Sequence, residues 1–244
     1  MTRQSIARII VTCSLAVASS AAASADTIFF VDFNDGNAQD GTPVTWVPLS
    51  GFPGTFDASN GDYVLSPSDR AIVATVPDLF LGDVSIRAQA RMLELPATRG
   101  GIELIARGNI APVTGYLAGL NNQGRLYIRQ TGVTDELAFA ETDLRLLEED
   151  IIMQFDAFGS SLSLWAWPAD EPMPAVPLLT ATNRSYPQGV VGIDYFSVEA
   201  VPPLGSAVFR YVHVADMQIP EPSSRILAGL AIVGLLGVVW VTRR

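Results

Sequence analysis

The sequence predicts an all-β fold, a two-sheet antiparallel sandwich or jelly roll, on three observations. Eleven short segments alternate apolar with polar residues, at 28–33, 63–66, 71–76, 84–93, 101–107, 116–121, 125–130, 151–158, 161–167, 190–196 and 207–219. Gly, Pro, Asn or Asp punctuates the gaps between them. Only residues 143–150 hold a run of helix formers, enough for two turns at most. In the segment 84–93, Ile86, Ala88, Ala90 and Met92 fall on one face and Arg87, Gln89 and Arg91 on the other, the period-two pattern of a half-buried strand. Residues 121–124 (NNQG) and 158–161 (FGSS) read as hairpin turns in which glycine supplies the positive φ. The stretch 168–177 (PADEPMPAVP) lies between two strands and reads as an exposed loop. Many short strands at hairpin spacing need two packed sheets to bury their apolar faces.

The two ends carry a different signal. Arg3 and Arg8 precede an apolar stretch, followed by small residues up to Ala23-Ser24-Ala25, the three-part layout of a secretory signal peptide over residues 1–25. Cys13, the only cysteine, lies inside it and lacks the small residues that a lipoprotein site needs before it. At the other end Pro220-Glu221-Pro222 interrupts any strand or helix. Residues 226–241 then run without a charge, and the chain ends on Arg243-Arg244. A helix of that length would span about 24 Å, somewhat short of a hydrocarbon core of about 30 Å. Trp240 suits the membrane interface and the two arginines suit the cytoplasmic face. The proline-glutamate-proline motif, short apolar helix and basic end together resemble the PEP-CTERM sorting signal of Gram-negative bacteria. That resemblance implies a transmembrane helix over 226–242, with the inner membrane as a temporary anchor facing the periplasm. It further implies exosortase and the secretion machinery as partners, and a final place at the cell surface or in the extracellular matrix. The expected organisation is a signal peptide (1–25), one β-sandwich domain (26–219) and a sorting segment (220–244).

Composition narrows the function of the body. It contains no cysteine and no lysine, and it holds 10 of the 15 arginines against 24 of the 25 acidic residues, a net charge of −14. Packing without disulfides must hold it together in an oxidising compartment. Such a charge repels nucleic acid and anionic membrane surfaces.

The order of elements resembles the concanavalin A-like lectin/glucanase superfamily, in its laminin-G-like branch. The residues that carry the likeness are the opening 30–36 (FVDFNDG), Trp46, the strand 61–65 (GDYVL), the strand 161–165 (SLSLW), 189–193 (GVVGI) and the closing 212–217 (VHVADM). The resemblance implies the sandwich and admits lectins, hydrolases and adhesion modules alike.

Catalysis finds little support in the residues. Glucanases of this superfamily place their acids on one strand face as Glu-x-Asp-x-x-Glu, and no such string occurs. Glu94, Glu103, Asp156 and Glu199 each stand alone on their strands, and no catalytic residue is assigned. A hydrolase built from carboxylates on separate strands stays open as the alternative. His213 is the only histidine, with no cysteine in the body and no nucleophile elbow, which argues against a hydrolytic triad and against zinc.

Two binding sites are expected. Trp165 and Trp167 share a face with Ser161 and Ser163 opposite Leu162 and Leu164, with the rings about 7 Å apart along the strand. Tyr127 and Arg129 lie on a similar face, opposite Leu126 and Ile128. Aromatic rings flanked by donors suit a sugar, unless the loop 168–177 folds over the tryptophans. Calcium is the one cofactor the pattern admits. Members of the resembled superfamily often hold it where the first and last strands meet, the place of Asp32, Asn34, Asp35 and Asp216; plain acidic turn chemistry is the other reading. The expected function is that of an exported, non-catalytic envelope or matrix protein that binds extracellular polysaccharide.

Overall fold

The computed structural model describes residues 25–110, 113–133 and 135–217. Residues 1–24 of the expected signal peptide, Pro220, Glu221, Pro222, the expected helix 226–242, Arg243 and Arg244 lie outside the described residues.

Among the described residues there are fifteen strands and no helix. They are β1 (Ala25–Val31), β2 (Val47–Pro48), β3 (Gly54–Asp57), β4 (Tyr63–Pro67), β5 (Ala71–Leu81), β6 (Val84–Glu94), β7 (Gly100–Ile110) and β8 (Val113–Asn121). After these come β9 (Arg125–Gln130), β10 (Glu136–Glu141), β11 (Ile151–Phe158), β12 (Ser161–Pro168), β13 (Leu179–Thr182), β14 (Gly189–Ser197) and β15 (Ser206–Met217). Every pairing is antiparallel. One sheet runs β13-β12-β11-β6-β15-β4-β3, with β1 also paired to β15; the other runs β10-β9-β8-β7-β14-β5-β2.

All eleven expected strands are present, β9 and β11 with the expected ends and the others with shifted ones, and four more join them. β2, β3 and β13 are only two to four residues long. β10 is an edge strand whose residues are all at least partly exposed, so none carries the alternation of a half-buried strand. Residues 143–150 form no helix. A single turn closes there, with Glu148 and Glu149 N–H donating to the Arg145 carbonyl, while Leu146 enters the core and its carbonyl accepts from Met92 N–H at 2.7 Å. Burying one leucine and pairing one β6 amide outweighs a two-turn helix, which is marginal at that length.

The two sheets close on one core. Val84, Ile86, Ala88, Ala90 and Met92 supply it from β6, and Leu162, Leu164 and Ala166 supply it from β12. An aromatic group fills one end, with Phe33 stacked on Tyr63 at 4.9 Å and Trp46 6.3 Å from both. The β8–β9 turn closes as expected, since Gly124 takes φ +83° and its N–H donates to the Asn121 carbonyl at 3.1 Å.

Arg107 joins the sheets at one end. Its side chain is buried and donates to the carbonyls of Gly82, Ala157, Gly159 and Tyr186 and to Asp83 Oδ1, at 2.6 to 3.2 Å. One guanidinium satisfies four backbone carbonyls, three in connections and one in β11. This fixes the ends of β7 and β11, which belong to different sheets.

Candidate functional site

The outer face of the seven-stranded sheet holds an arrangement that no single strand reveals. Antiparallel register sets Asp194 of β14 opposite Glu103 of β7, Glu103 opposite Gly119 of β8, and Gly119 opposite Tyr127 of β9. Directly opposed side chains stand about 5 Å apart at Cβ. Gly119 leaves the gap that Tyr127 crosses, because a Cβ there would collide with the Tyr127 ring and lie 2.8 Å from Glu103 Cγ. The Tyr127 hydroxyl therefore reaches past β8 and donates to Glu103 Oε1 at 2.5 Å. Arg129, two residues along the same face, pairs with Glu103 at 2.8 and 3.0 Å.

Asp194 completes the row, facing Glu103 across the β14–β7 ladder. Glu103 is fully buried and Asp194 is 6% exposed. Burial first, then the Glu103 charge, pushes the Asp194 carboxyl well above its ordinary value, while Arg129 only partly offsets them. Burial and the facing Glu103 carboxyl thus favour the neutral form of Asp194. Burial and the neighbouring carboxylate also push the Tyr127 hydroxyl well up. Burial works hardest against the Arg129 charge, but Glu103, Tyr127 and Asp194 together outweigh it and hold the guanidinium above its ordinary range. Two polar atoms of this group have no hydrogen-bond partner, Asp194 Oδ1 and Arg129 Nε.

Beside the row lies an apolar patch. Val73, Ile105 and Leu117 touch one another on β5, β7 and β8, and Leu49 and Phe52 pack against them. The patch, with Arg129 and Asp194 of the row, lines a groove of 320 Å³. A groove with an apolar floor and a few fixed polar atoms is the usual form of a small-ligand site.

As chemistry, this is a binding floor. Two carboxyls that flank a glycosidic bond stand about 5 to 10 Å apart with the bond between them. Glu103 and Asp194 instead face each other directly in the ladder, and Glu103 is fully buried and bonded to Tyr127 and Arg129. Sequence reading left Glu103 alone on its strand. The available signal was a lone acid in each of two otherwise apolar segments, 101–106 and 190–196.

The four expected sugar-binding residues do not share a surface. Tyr127 and Arg129 sit on the outer face of the seven-stranded sheet, whereas Trp165 and Trp167 sit on the outer face of the eight-stranded one, across the core. Tyr127 is buried, so its ring is a wall rather than a platform. Trp167 is only 5% exposed; the Arg87 guanidinium lies 5.8 Å from its ring and in turn touches Met173 of the loop 168–177. Trp165 is half-buried, beside Gln154 in register. The loop and Arg87 thus occupy the space that a stacked sugar would need over Trp167.

The expected calcium ligands divide as well. Asp216 pairs with Asp26, while Val31 pairs with Val212, so Asp32 falls at the far end of β1 from Asp216. Six residues of strand separate Asp26 from Asp32, about 20 Å. Asp32 bonds to Asn34 at 2.6 Å and Asp35 accepts from Asn37 N–H at 3.0 Å, which is turn chemistry. Among the described residues no group of three His, Cys, Asp or Glu side chains is placed to hold a metal.

No protein-family model and no curated protein matches the sequence. Solved structures do share the fold. The carbohydrate-binding module CBM66 from Bacillus subtilis superposes with a TM-score of 0.53 at 16% identity, over 68% of this chain and 92% of that one. The exoplasmic/lumenal domain of VIP36 in its Ca2+-bound form gives 0.56 at 13% identity, over 79% and 91%, and that domain is also known bound to Ca2+ and Man3GlcNAc. The β-glucanase of Bacillus licheniformis gives 0.56 at 12% identity, over 79% and 99%. The chain thus has a concanavalin A-like β-sandwich fold, shared with a carbohydrate-binding module, the VIP36 domain and a β-glucanase.

Proposed function

We propose that this protein is an exported, non-catalytic polysaccharide-binding sandwich of the bacterial envelope or extracellular matrix, and that the groove of the seven-stranded sheet is its binding surface. The observation that carries the reading is the apolar floor of Val73, Ile105 and Leu117 set against the fixed row of Asp194, Glu103, Tyr127 and Arg129. Sugars present apolar ring faces beside hydroxyl groups, and such a floor meets both. The structural neighbours, a carbohydrate-binding module and the VIP36 domain with bound Man3GlcNAc, support the same class of ligand. The exit route is the one expected from residues 1–25 and from Pro220-Glu221-Pro222 with its apolar, arginine-ended tail, processed by an exosortase.

The experiment is an incubation of the purified protein with extracellular polysaccharide, followed by two measurements. Retention of the protein with no new reducing ends supports binding without hydrolysis; release of reducing ends supports the glycan-active alternative. Mass spectrometry of protein from the cell surface tests the route, with loss of the segment after residue 222 expected and an intact Arg244 contradicting it.

A further inference from the structure

The groove does not end at Arg129. Arg129 and Phe196 line both the groove and a smaller cleft of 50 Å³ beside it, whose other walls are Arg99, Asn121, Tyr127 and Glu136. Sheet register explains how these residues meet. Phe196 pairs with Gly101 of β7, which contributes no side chain, and just beyond that pair the Val198 N–H donates to the Arg99 carbonyl at 2.7 Å. From the other side, the Arg129 guanidinium lies 5.8 Å from the Tyr127 ring and 5.9 Å from the Phe196 ring.

Both cations of the cleft can be reached from solvent. Arg99 is exposed and forms no ion pair among the described residues. The Arg129 side chain is 40% exposed and bonds to Glu103 through Nη2. The acids nearby are already engaged. Glu103 is fully buried and holds Tyr127 and Arg129, and Glu136 pairs with Arg125 at 2.5 Å. Asp194 is pushed toward its neutral form. The cleft therefore keeps one positive charge, that of Arg99, unbalanced, although the body as a whole carries −14.

These donors select the substituent. A guanidinium offers N–H groups only, so its complement is an acceptor. Water and a sugar hydroxyl both accept from it, and exchanging one for the other gains little. A carboxylate accepts with two oxygens, and such charge-assisted bonds are roughly twice as strong as neutral ones. The volume suits a small substituent rather than a sugar ring, since each molecule of liquid water takes about 30 Å³. Repulsion from the acidic body is short-ranged, because exposed charges more than about 8 Å apart are largely screened at physiological ionic strength.

We propose that the groove takes an acidic polysaccharide. A uronic acid unit lies at the junction with its carboxylate in the cleft, on Arg99 and Arg129, and the neighbouring units run along Val73, Ile105 and Leu117. The proposal rests on the reading of the groove as the polysaccharide-binding surface and names the charge class of the polymer.

The test is calorimetric titration of the full chain, purified in a sugar-free zwitterionic detergent, at about 0.15 M salt. The probes are trimers of α-1,4-galacturonate and of β-1,4-mannuronate, each beside its methyl ester, which keeps the ring and removes the charge. At least one acid trimer is expected to bind, and its ester to bind more weakly by about tenfold or more. Arg99→Gln is expected to bring the acid down to the level of its ester while thermal unfolding stays unchanged, since the exposed side chain holds no ion pair. Leu117→Trp, which fills the groove, and Thr114→Trp, at its half-buried rim, are expected to abolish binding of acid and ester alike. Equal binding of acid and ester, lost in the tryptophan variants, overturns the uronate assignment and leaves the groove as the binding surface. An acid preference that Arg99→Gln retains overturns the cleft. Binding that survives both tryptophan variants overturns the groove itself. No binding of either acid trimer overturns the uronate assignment.

Discussion

Asp194 on β14 and Glu103 on β7 stand opposite each other in register, although neither has an acidic neighbour on its own strand. Glu103 takes the bonds of Tyr127 and Arg129, while burial and the Glu103 carboxyl push Asp194, which lines the groove, toward its neutral form. Several consequences can be measured.

The first is a pH dependence of stability. The Asp194 carboxyl titrates well above 3.8 in the folded protein. A raised folded value means that the stabilisation is complete below the unfolded value and is lost as pH rises through the folded one. The slope inside that window reaches at most about 1.4 kcal/mol per pH unit for one proton. Asp156 is also raised by burial, so the test is a difference: Asp194→Asn is expected to flatten the fall in stability with rising pH relative to wild type. Denaturant midpoints across that window measure it, and parallel curves would refute the protonated Asp194.

Gly119→Ala tests the reach of Tyr127. The added methyl meets the Tyr127 ring and Glu103 Cγ, so the ring must leave Glu103. A loss of about 1 to 3 kcal/mol, the ordinary cost of overpacking, is expected with weakened glycan binding. Wild-type stability in that variant would contradict the crossing.

Arg107→Ala removes the donor for four carbonyls and for Asp83. A loss of about 3 to 5 kcal/mol is expected from the unpaired buried groups. Arg107→Lys is expected to recover only part of it, since one ammonium offers three donors where the guanidinium offers five. Thermal unfolding of the two variants measures this.

Calcium gives a separate test. Any calcium-dependent rise in Tm is expected to be the same in Asp216→Asn as in wild type, because Asp216 pairs with Asp26 at the end of β1 remote from Asp32. Loss of that rise in the variant would restore the shared site.

The strands were legible because their chemistry is local. In the segment 84–93 each second residue is apolar, and those residues are the ones β6 buries. β2 and β13 were not legible, since two and four residues carry no period and are defined by the neighbours they pair with. The same limit hid the site. Tyr127 and Arg129 were visible as a polar-aromatic face, but their partner Glu103 and its partner Asp194 lie on strands whose register only the assembled sheet decides. The tryptophans show the converse: alternation placed Trp167 outside the core, while the cover from Arg87 and Met173 is a contact between segments far apart in the chain.

The most direct test of the account separates the two outer faces. Affinity electrophoresis of the full chain through a gel containing extracellular polysaccharide compares wild type, Leu117→Trp in the groove and Trp165→Ala on the eight-stranded sheet. The account predicts that Leu117→Trp migrates as if no polysaccharide were present, while Trp165→Ala is retarded as strongly as wild type. Retardation kept by Leu117→Trp and lost by Trp165→Ala would contradict it and move the binding surface to the other sheet.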